Sequence, residues 1–195
     1  MFSLLQLGMD LATLISVMTT SLSSKTTNHH HLKKMSLNPK KVHWLPITIA
    51  SFFGTGFSPI APGTIGSLFG LIPLYLISLT PVYIATTAVI IIMLVGIYAT
   101  HKCTGKNADH DPSWIVIDEV VGIMMLYPIC FQFVSFNITN IILAFLIFRA
   151  LDISKIGPIG YVEKKFRNAW GVMLDDVAAS ILTTCIMLTF YYLPV

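Results

Sequence analysis

The chain has 195 residues, of which 55% are hydrophobic and only 11% are charged, and its mean hydropathy is +0.78. Soluble domains average about 25% charged residues, so a soluble protein of this composition would need a larger core than a single domain of this length provides. The composition therefore favours an integral membrane protein. The net charge of +3 is not gathered in a basic patch with interleaved aromatic residues, so nucleic-acid binding is not expected.

The amino-terminal segment differs from the rest of the chain. Residues 1–22 are moderately apolar but contain Asp10 and lack a basic first part, which makes them a poor signal peptide. Residues 21–31 are rich in Ser, Thr, Asn and His, as linkers often are, and Met35 is a plausible alternative start. We expect an extension at residues 1–34, either disordered or the result of a misassigned start, and one membrane-embedded domain at residues 35–195.

Five apolar runs follow in the second part of the chain, at residues 65–79, 82–99, 115–133, 138–148 and 172–193. Only the second is an uninterrupted, charge-free stretch close to the ~20 residues that a bilayer core requires. The others are short or reach this length only by including polar residues. The sequence predicts an all-α, polytopic membrane bundle of about four to five short spans whose polar ends lie at one interface.

The basic residues indicate the orientation of these spans. If the run at residues 82–99 leaves the membrane at His101 on the cytoplasmic side, all 12 Lys and Arg residues fall on that side. The opposite turns, at Thr80-Pro81 and residues 133–137, contain none. This asymmetry is the positive-inside pattern of membrane proteins. It predicts a multi-pass protein whose functional groups face the cytoplasm.

A loop rich in Gly, Pro, Ser and Thr occupies residues 54–67, before the first of these runs. Glycines allow backbone amides to approach an anion closely, and a helix capped at its start by Thr64 would direct its free amides toward that anion. The alternative is a re-entrant or connecting loop whose small residues only satisfy the backbone geometry. The loop is not a nucleotide-binding P-loop, because no Lys follows in the required spacing.

Five carboxylates lie beside the apolar runs, although the chain has only nine acidic residues. Such carboxylates are costly unless they are paired or bound to a cation, and oxygen ligands favour Mg²⁺ over zinc. The alternative for the last two is a cap at the start of a helix, where acids are favoured. The five are Asp118 and Glu119 in IVIDEVVG, Asp152 in FRALDISK, and Asp175 and Asp176 in GVMLDDVAAS.

Two basic residues flank one of these acids at helical spacing. Arg149 precedes Asp152 by three residues, so both would lie on one face of a helix. Arg149 could hold that carboxylate or clamp a phosphate, and Lys155, three residues further on, could do the same.

The strings GTGFSPIAPGTIGSL, IVIDEVVG, FRALDISK and GVMLDDVAA, in this order and spacing, resemble the phosphatidylglycerophosphatase A family of bacterial Mg²⁺-dependent membrane lipid phosphatases. The resemblance covers residues 52–179 and implies hydrolysis of phosphatidylglycerophosphate to phosphatidylglycerol and phosphate, a step of phospholipid biosynthesis at the bacterial inner membrane. It assigns the five carboxylates to an acidic Mg²⁺ site. It also assigns six residues to the glycine-rich loop, of which all but Pro62 are expected to bind the phosphate: Thr55, Ser58, Pro62, Gly63, Thr64 and Ser67.

The mechanism that the sequence favours is attack by an activated water on a phosphate neutralised by Mg²⁺, with charge stabilisation from Lys155, Arg149 or Arg167. A phospho-aspartate is less favoured, because the DxDx[TV] signature of the best-known aspartyl phosphatases is absent. Two alternatives stay open: a cation channel or transporter with acids at the membrane interface, and a phosphatase for another lipid phosphate such as phosphatidic acid. The sequence does not address the oligomeric state.

Overall fold

The computed structural model describes residues 44–104, 112–156, 159 and 168–193. The predicted extension at residues 1–34 lies outside the described residues, and so does Arg167.

Within the described residues the chain forms six α-helices and one short 3-10 turn, with no strand among them. This confirms the all-α prediction. In chain order they are α1 (Trp44–Ala50), the 3-10 turn (Thr55–Phe57), α2 (Pro62–Ser78), α3 (Val82–Thr104), α4 (Ile117–Ile129), α5 (Ile138–Ser154) and α6 (Ala169–Tyr192).

Two of these helices are long and apolar enough to cross a membrane. α3 has 23 residues and α6 has 24, and at 1.5 Å per residue each exceeds the ~30 Å hydrocarbon core of a bilayer. α2 and α5 have 17 residues each, and α4 has 13. The structure therefore supports membrane association through two helices, while the predicted number of four to five spans is not confirmed.

The start of α2 divides the Gly/Pro-rich segment into a loop and a helix. Pro62, whose fixed φ suits the first helical position, begins α2, and Ala61 is its N-cap with φ of 45°. Thr64 therefore lies inside the first turn, and the prediction that it caps the helix is wrong. The predicted re-entrant loop is not confirmed either, because residues 62–67 belong to α2.

The start of α6 excludes the capping role for its two acids. Asn168 is the N-cap, and its Oδ1 accepts hydrogen bonds from the amides of Trp170 and Gly171 at 3.0 and 3.1 Å. The helix begins three residues earlier than its apolar run, which places Asp175 and Asp176 in the second turn. Their position needs an explanation other than helix capping.

α4 is the central helix, since it packs against α2, α3 and α6. Its Gly122 allows a close approach of the neighbouring helices: a Cβ there would lie 2.6 Å from the ring of Phe148 on α5 and 3.2 Å from the Cβ of Asp176 on α6. The hydroxyl of Ser180 lies 2.7 Å from the carbonyl oxygen of Gly122 and joins α6 to α4. The apolar core that these helices share includes Leu74, Ile123, Leu126, Phe148, Ala179 and Met187.

Two tyrosines donate hydrogen bonds to backbone carbonyls in the turns at one end of the helices. The hydroxyl of Tyr127 donates to carbonyl oxygens at the α2–α3 turn, 3.2 Å from that of Ser78. Tyr192 donates to the carbonyl of Phe133 at 3.1 Å, in the turn between α4 and α5. The opposite end holds the starts of α2, α4 and α6 and the ends of α3 and α5, and this is where the acids lie.

Candidate active site

The five carboxylates come from three helices and meet at one end of the bundle. Asp118 and Glu119 are in the first turn of α4, Asp152 is in the last turn of α5, and Asp175 and Asp176 are in the second turn of α6. The carboxylate of Asp176 interacts electrostatically with all four of the others. The structure therefore brings together every acid that the sequence singled out.

These acids are unusually buried for charged groups. Asp118 is 5% exposed, Asp175 6% and Asp176 2%, and the side chains of Glu119 and Asp152 are 15% and 13% exposed. Oδ1 of Asp176 is buried and, among the described residues, has no hydrogen-bond partner. A buried carboxylate oxygen without a partner costs stability, so the arrangement has another purpose.

Two basic side chains oppose part of this negative charge. Arg149 on α5 lies 2.5 Å from Asp152 and 3.4 Å from Glu119, measured from Nη1 to the carboxylate oxygens. The ammonium of Lys155 lies 3.3 Å from Oδ2 of Asp175. Lys155 occupies the C-cap of α5 with φ of 48°, a left-handed conformation that a residue with a Cβ adopts at a cost.

The donor atoms suit a hard divalent cation. All five are carboxylates, the ligands that Mg²⁺ prefers, and Oδ1 of Asp176 is a buried oxygen with no hydrogen-bond partner among the described residues. In the described part of the chain, however, no three His, Cys, Asp or Glu side chains are arranged so that they could coordinate a metal ion as they are. The site fits a cation by its chemistry and its buried oxygen, and Asp176 and its neighbours would hold the ion.

The glycines of the α2 start contact the acidic site directly. A Cβ added to Gly63 would overlap Oε1 of Glu119 and lie 3.2 Å from Nη2 of Arg149. A Cβ at Gly66 would lie 3.3 Å from Oε2 of Glu119 and 2.6 Å from the Cβ of Val116. The space next to these two glycines is thus filled by a protein carboxylate.

The hydroxyl residues proposed for phosphate binding have different surroundings. Thr64 is at the site, where its Oγ1 accepts a hydrogen bond from Nη2 of Arg149 at 3.4 Å. Thr55, Ser58 and Ser67 donate to carbonyls of their own segment, at 3.0 to 3.1 Å for the first two and 2.8 Å for Ser67. Ser67 is also fully buried. These three assignments stay predictions.

The match to a family model covers most of this architecture. Residues 48–191 match the model of phosphatidylglycerophosphatase A, a stretch that contains α2 to α5, nearly all of α6 and all five acids. The chain belongs to the phosphatidylglycerophosphatase A family. The resemblance seen in the four sequence strings is thereby confirmed.

Individual relatives agree with the family assignment. The chain is 36% identical over 168 residues to "Phosphatidylglycerophosphatase A" of Haemophilus influenzae, covering 85% of this chain and 98% of the relative. It is 32% identical over 143 residues to the protein of the same name in Escherichia coli, covering 71% and 79%. A protein of Bacteroides thetaiotaomicron named "Putative phosphatidylinositol-3-phosphatase" is 36% identical over 154 residues, covering 73% and 91%. No solved structure matches the chain.

Three residues that help to position the acids were not identified from the sequence. Gly122 allows α5 and α6 to approach α4, Ser180 joins α6 to α4, and Asn168 sets the start of α6. Gly122 follows Asp118 by four residues, one helical turn, and Ser180 follows Asp176 by four, so a search for small residues one turn from each acid would have found them. Asn168 carries the ordinary N-cap signal one residue before Ala169.

Proposed function

We propose that this enzyme is a Mg²⁺-dependent lipid phosphatase that converts phosphatidylglycerophosphate to phosphatidylglycerol and phosphate in the synthesis of membrane phospholipid. The observation that carries the proposal is the convergence of five carboxylates, three buried and two partly buried, at one end of the helices, in a chain of this family. A cation bound there would neutralise the phosphate dianion and orient the attacking water.

The protein side chains then have separate tasks. Asp118, Asp175 and Asp176, the three most buried acids, would hold the cation. One carboxylate accepts a proton from the water as its oxygen attacks phosphorus. The bond from phosphorus to the glycerol oxygen breaks, and that oxygen takes up a proton. Lys155, whose side chain is 33% exposed, is the more exposed of the two basic residues described at the site and would meet a phosphate arriving from outside.

The same proposal places the acidic end at the cytoplasmic face of the bacterial inner membrane in a multi-pass arrangement. The last turn of α3 carries His101 and Lys102 at this end, in agreement with the positive-inside pattern. Trp114 and Trp170 lie beside it, whereas Tyr127 and Tyr192 lie at the other end, and such aromatic residues are enriched at both membrane interfaces. The lipid's acyl chains would stay in the bilayer while its headgroup reaches the acids.

A second candidate substrate is another phosphorylated glycerolipid. One relative, similar over 91% of its own length, is named for a phosphoinositide phosphatase. Phosphatidic acid carries the same chemical group, a phosphate monoester on a lipid. A cation held by the acids would bind such a monoester in any of these lipids, and the acids do not by themselves select the remainder of the headgroup.

The test is phosphate release by the purified protein in detergent from phosphatidylglycerophosphate, phosphatidic acid and phosphatidylinositol 3-phosphate, with Mg²⁺ and then with EDTA. We expect Mg²⁺-dependent release, fastest from the first lipid and lost in Asp175→Asn. Cys185→Ser, at an exposed position on the same helix, is the matched control and should retain activity. Faster release from another lipid would change the substrate. No release from any of them by folded protein would refute the phosphatase and leave the transporter as the alternative.

A further inference from the structure

Arg149 is surrounded by protein groups rather than open to a ligand. The residue is 4% exposed, and its Nη1 donates to Asp152 at 2.5 Å and to Glu119 at 3.4 Å. Its Nη2 donates to the hydroxyl of Thr64 at 3.4 Å. One guanidinium thus joins α2, α4 and α5. Each of its terminal nitrogens has at least one partner within the protein, and Nε, which has no hydrogen-bond partner among the described residues, is itself buried.

Gly63 on α2 contacts both members of this ion pair. The absence of a side chain at this position leaves the space that Oε1 of Glu119 occupies, with Nη2 of Arg149 adjacent. The carboxylate of Glu119 therefore lies between a glycine of α2 and an arginine of α5. An extra methyl group at Gly63 would displace the carboxylate, since the atoms would overlap.

We propose that Gly63 and Arg149 form a socket that fixes the carboxylate of Glu119 relative to that of Asp152, and that Arg149 is a positioning residue rather than a phosphate ligand. The inference deepens the proposed phosphatase function and rests on it, because Glu119 and Asp152 belong to the acidic site. A guanidinium suits this role, since its rigid fork of donors can contact two carboxylates at once, which an ammonium does poorly.

The first test compares two positions on α2. In Gly63→Ala the new methyl group displaces Glu119, and a misplacement of about 1 Å can reduce a rate by about 10²-fold. We expect kcat to fall at least about tenfold while KM for the lipid changes less than about threefold. In Ile72→Ala, an exposed position nine residues or about 13 Å further along the helix, kcat should stay within about twofold. Equal kcat values in the two variants would refute the socket.

The second test separates positioning from phosphate binding. For a positioning role, Arg149→Gln lowers kcat about 10²-fold but leaves KM and the inhibition constant of inorganic phosphate within about threefold. Arg149→Lys should recover little of the rate, because it cannot keep both carboxylates in place. A parallel rise of KM and of the phosphate inhibition constant, with kcat nearly unchanged, would show that Arg149 is a phosphate ligand.

The third test needs no catalytic activity and therefore distinguishes failure of the socket from failure of the phosphatase proposal. Thermal unfolding is measured in detergent with EDTA and without phosphate. Arg149→Gln leaves buried carboxylates without their cation and should lower Tm by about 5 °C or more. The double variant Arg149→Gln/Glu119→Gln should regain part of this loss, because the buried charge is removed with its partner. Strictly additive changes in Tm would overturn the proposal even if the wild-type protein hydrolyses the lipid.

Discussion

Asp176, at 2% exposure, is more buried than Asp118 or Asp175. Its carboxylate interacts electrostatically with the four other acids of the site. Packing alone does not account for such a group, because an apolar or neutral side chain would be more stable at this depth. Asp152 is a contrasting case, since it has a short ion pair with Arg149. We therefore expect Asp176 to lower the stability of the folded protein and Asp152 to raise it.

This contrast gives a paired prediction for the protein without metal. Asp176→Asn removes one negative charge from the cluster at nearly constant volume, so Tm should rise by about 3 °C while phosphatase activity is lost. Asp152→Asn removes the partner of a buried guanidinium, so Tm should fall by about 5 °C or more, also with loss of activity. Thermal unfolding in detergent with EDTA measures both. A fall of Tm in both variants would show that Asp176 has a stabilising partner within the protein.

Lys155 combines a backbone role with a side-chain role, which substitution can separate. Its φ of 48° and ψ of 41° cost a residue with a Cβ about 1–2 kcal/mol, a cost that glycine avoids. Both Lys155→Gly and Lys155→Ala lose the ion pair with Asp175 and should lose similar activity. We expect the Gly variant to be more stable than the Ala variant by about 1 kcal/mol, measured by denaturant unfolding. Equal stability would indicate that the backbone of Lys155 relaxes once its side chain is shortened.

At the scale of elements, the distance between α4 and its neighbours positions the acids. Asp118 and Gly122 are one turn apart on α4, and the close contact at Gly122 brings α6, with Asp176, to the same level. The two helices are also joined by Ser180, whose hydroxyl is 2.7 Å from the carbonyl of Gly122. A change in the distance between α4 and α6 would therefore also change the distance between Asp118 and Asp176.

Gly122→Ala tests this coupling. The added methyl group would contact the ring of Phe148 at 2.6 Å, so α4 and its neighbours must separate, and both stability and kcat should fall. In the double variant Gly122→Ala/Phe148→Leu the smaller side chain makes room, and the loss of stability should be smaller than the sum of the two single losses. Unfolding and lipid phosphatase assays measure the two effects. Full additivity would mean that the ring of Phe148 is not what limits the approach.

At the scale of the whole molecule, the two ends of the bundle differ in chemistry. The acids, His101 and Lys102 lie at one end, and the turns fastened by Tyr127 and Tyr192 lie at the other. Under the proposed function, the acidic end faces the cytoplasm and the other end faces the opposite side of the membrane.

Labelling of single cysteines with a membrane-impermeant maleimide checks this orientation. In a background with the three native cysteines replaced, Lys102→Cys tests the acidic end and Ser135→Cys tests the opposite turn, and both positions are exposed. In intact spheroplasts we expect labelling of Ser135→Cys alone, and in inverted vesicles labelling of Lys102→Cys alone. Detergent-solubilised protein, in which both should react, is the control. The reverse pattern would place the acids outside the cytoplasm.

The sequence identified the members of the acidic cluster because they are chemically conspicuous. Nine acids in a chain of 195 residues make five carboxylates beside apolar runs easy to find, and the structure brings all five together. The element boundaries were predicted less well. The run at residues 138–148 ends six residues before α5 does, because Arg149 and Asp152 are charged yet buried as a pair, a property that hydropathy cannot express.

The sequence alone determined the all-α class, the family and the identity of the acidic residues, since composition and local strings are properties of the chain itself. The tertiary structure decided which groups share an environment. It placed the carboxylate of Glu119, rather than an open space, beside Gly63, and it surrounded Arg149 with Glu119, Asp152 and Thr64. These contacts join residues 30 to 85 positions apart as well as neighbours on one helix, and only the packing of α2, α4 and α5 determines them.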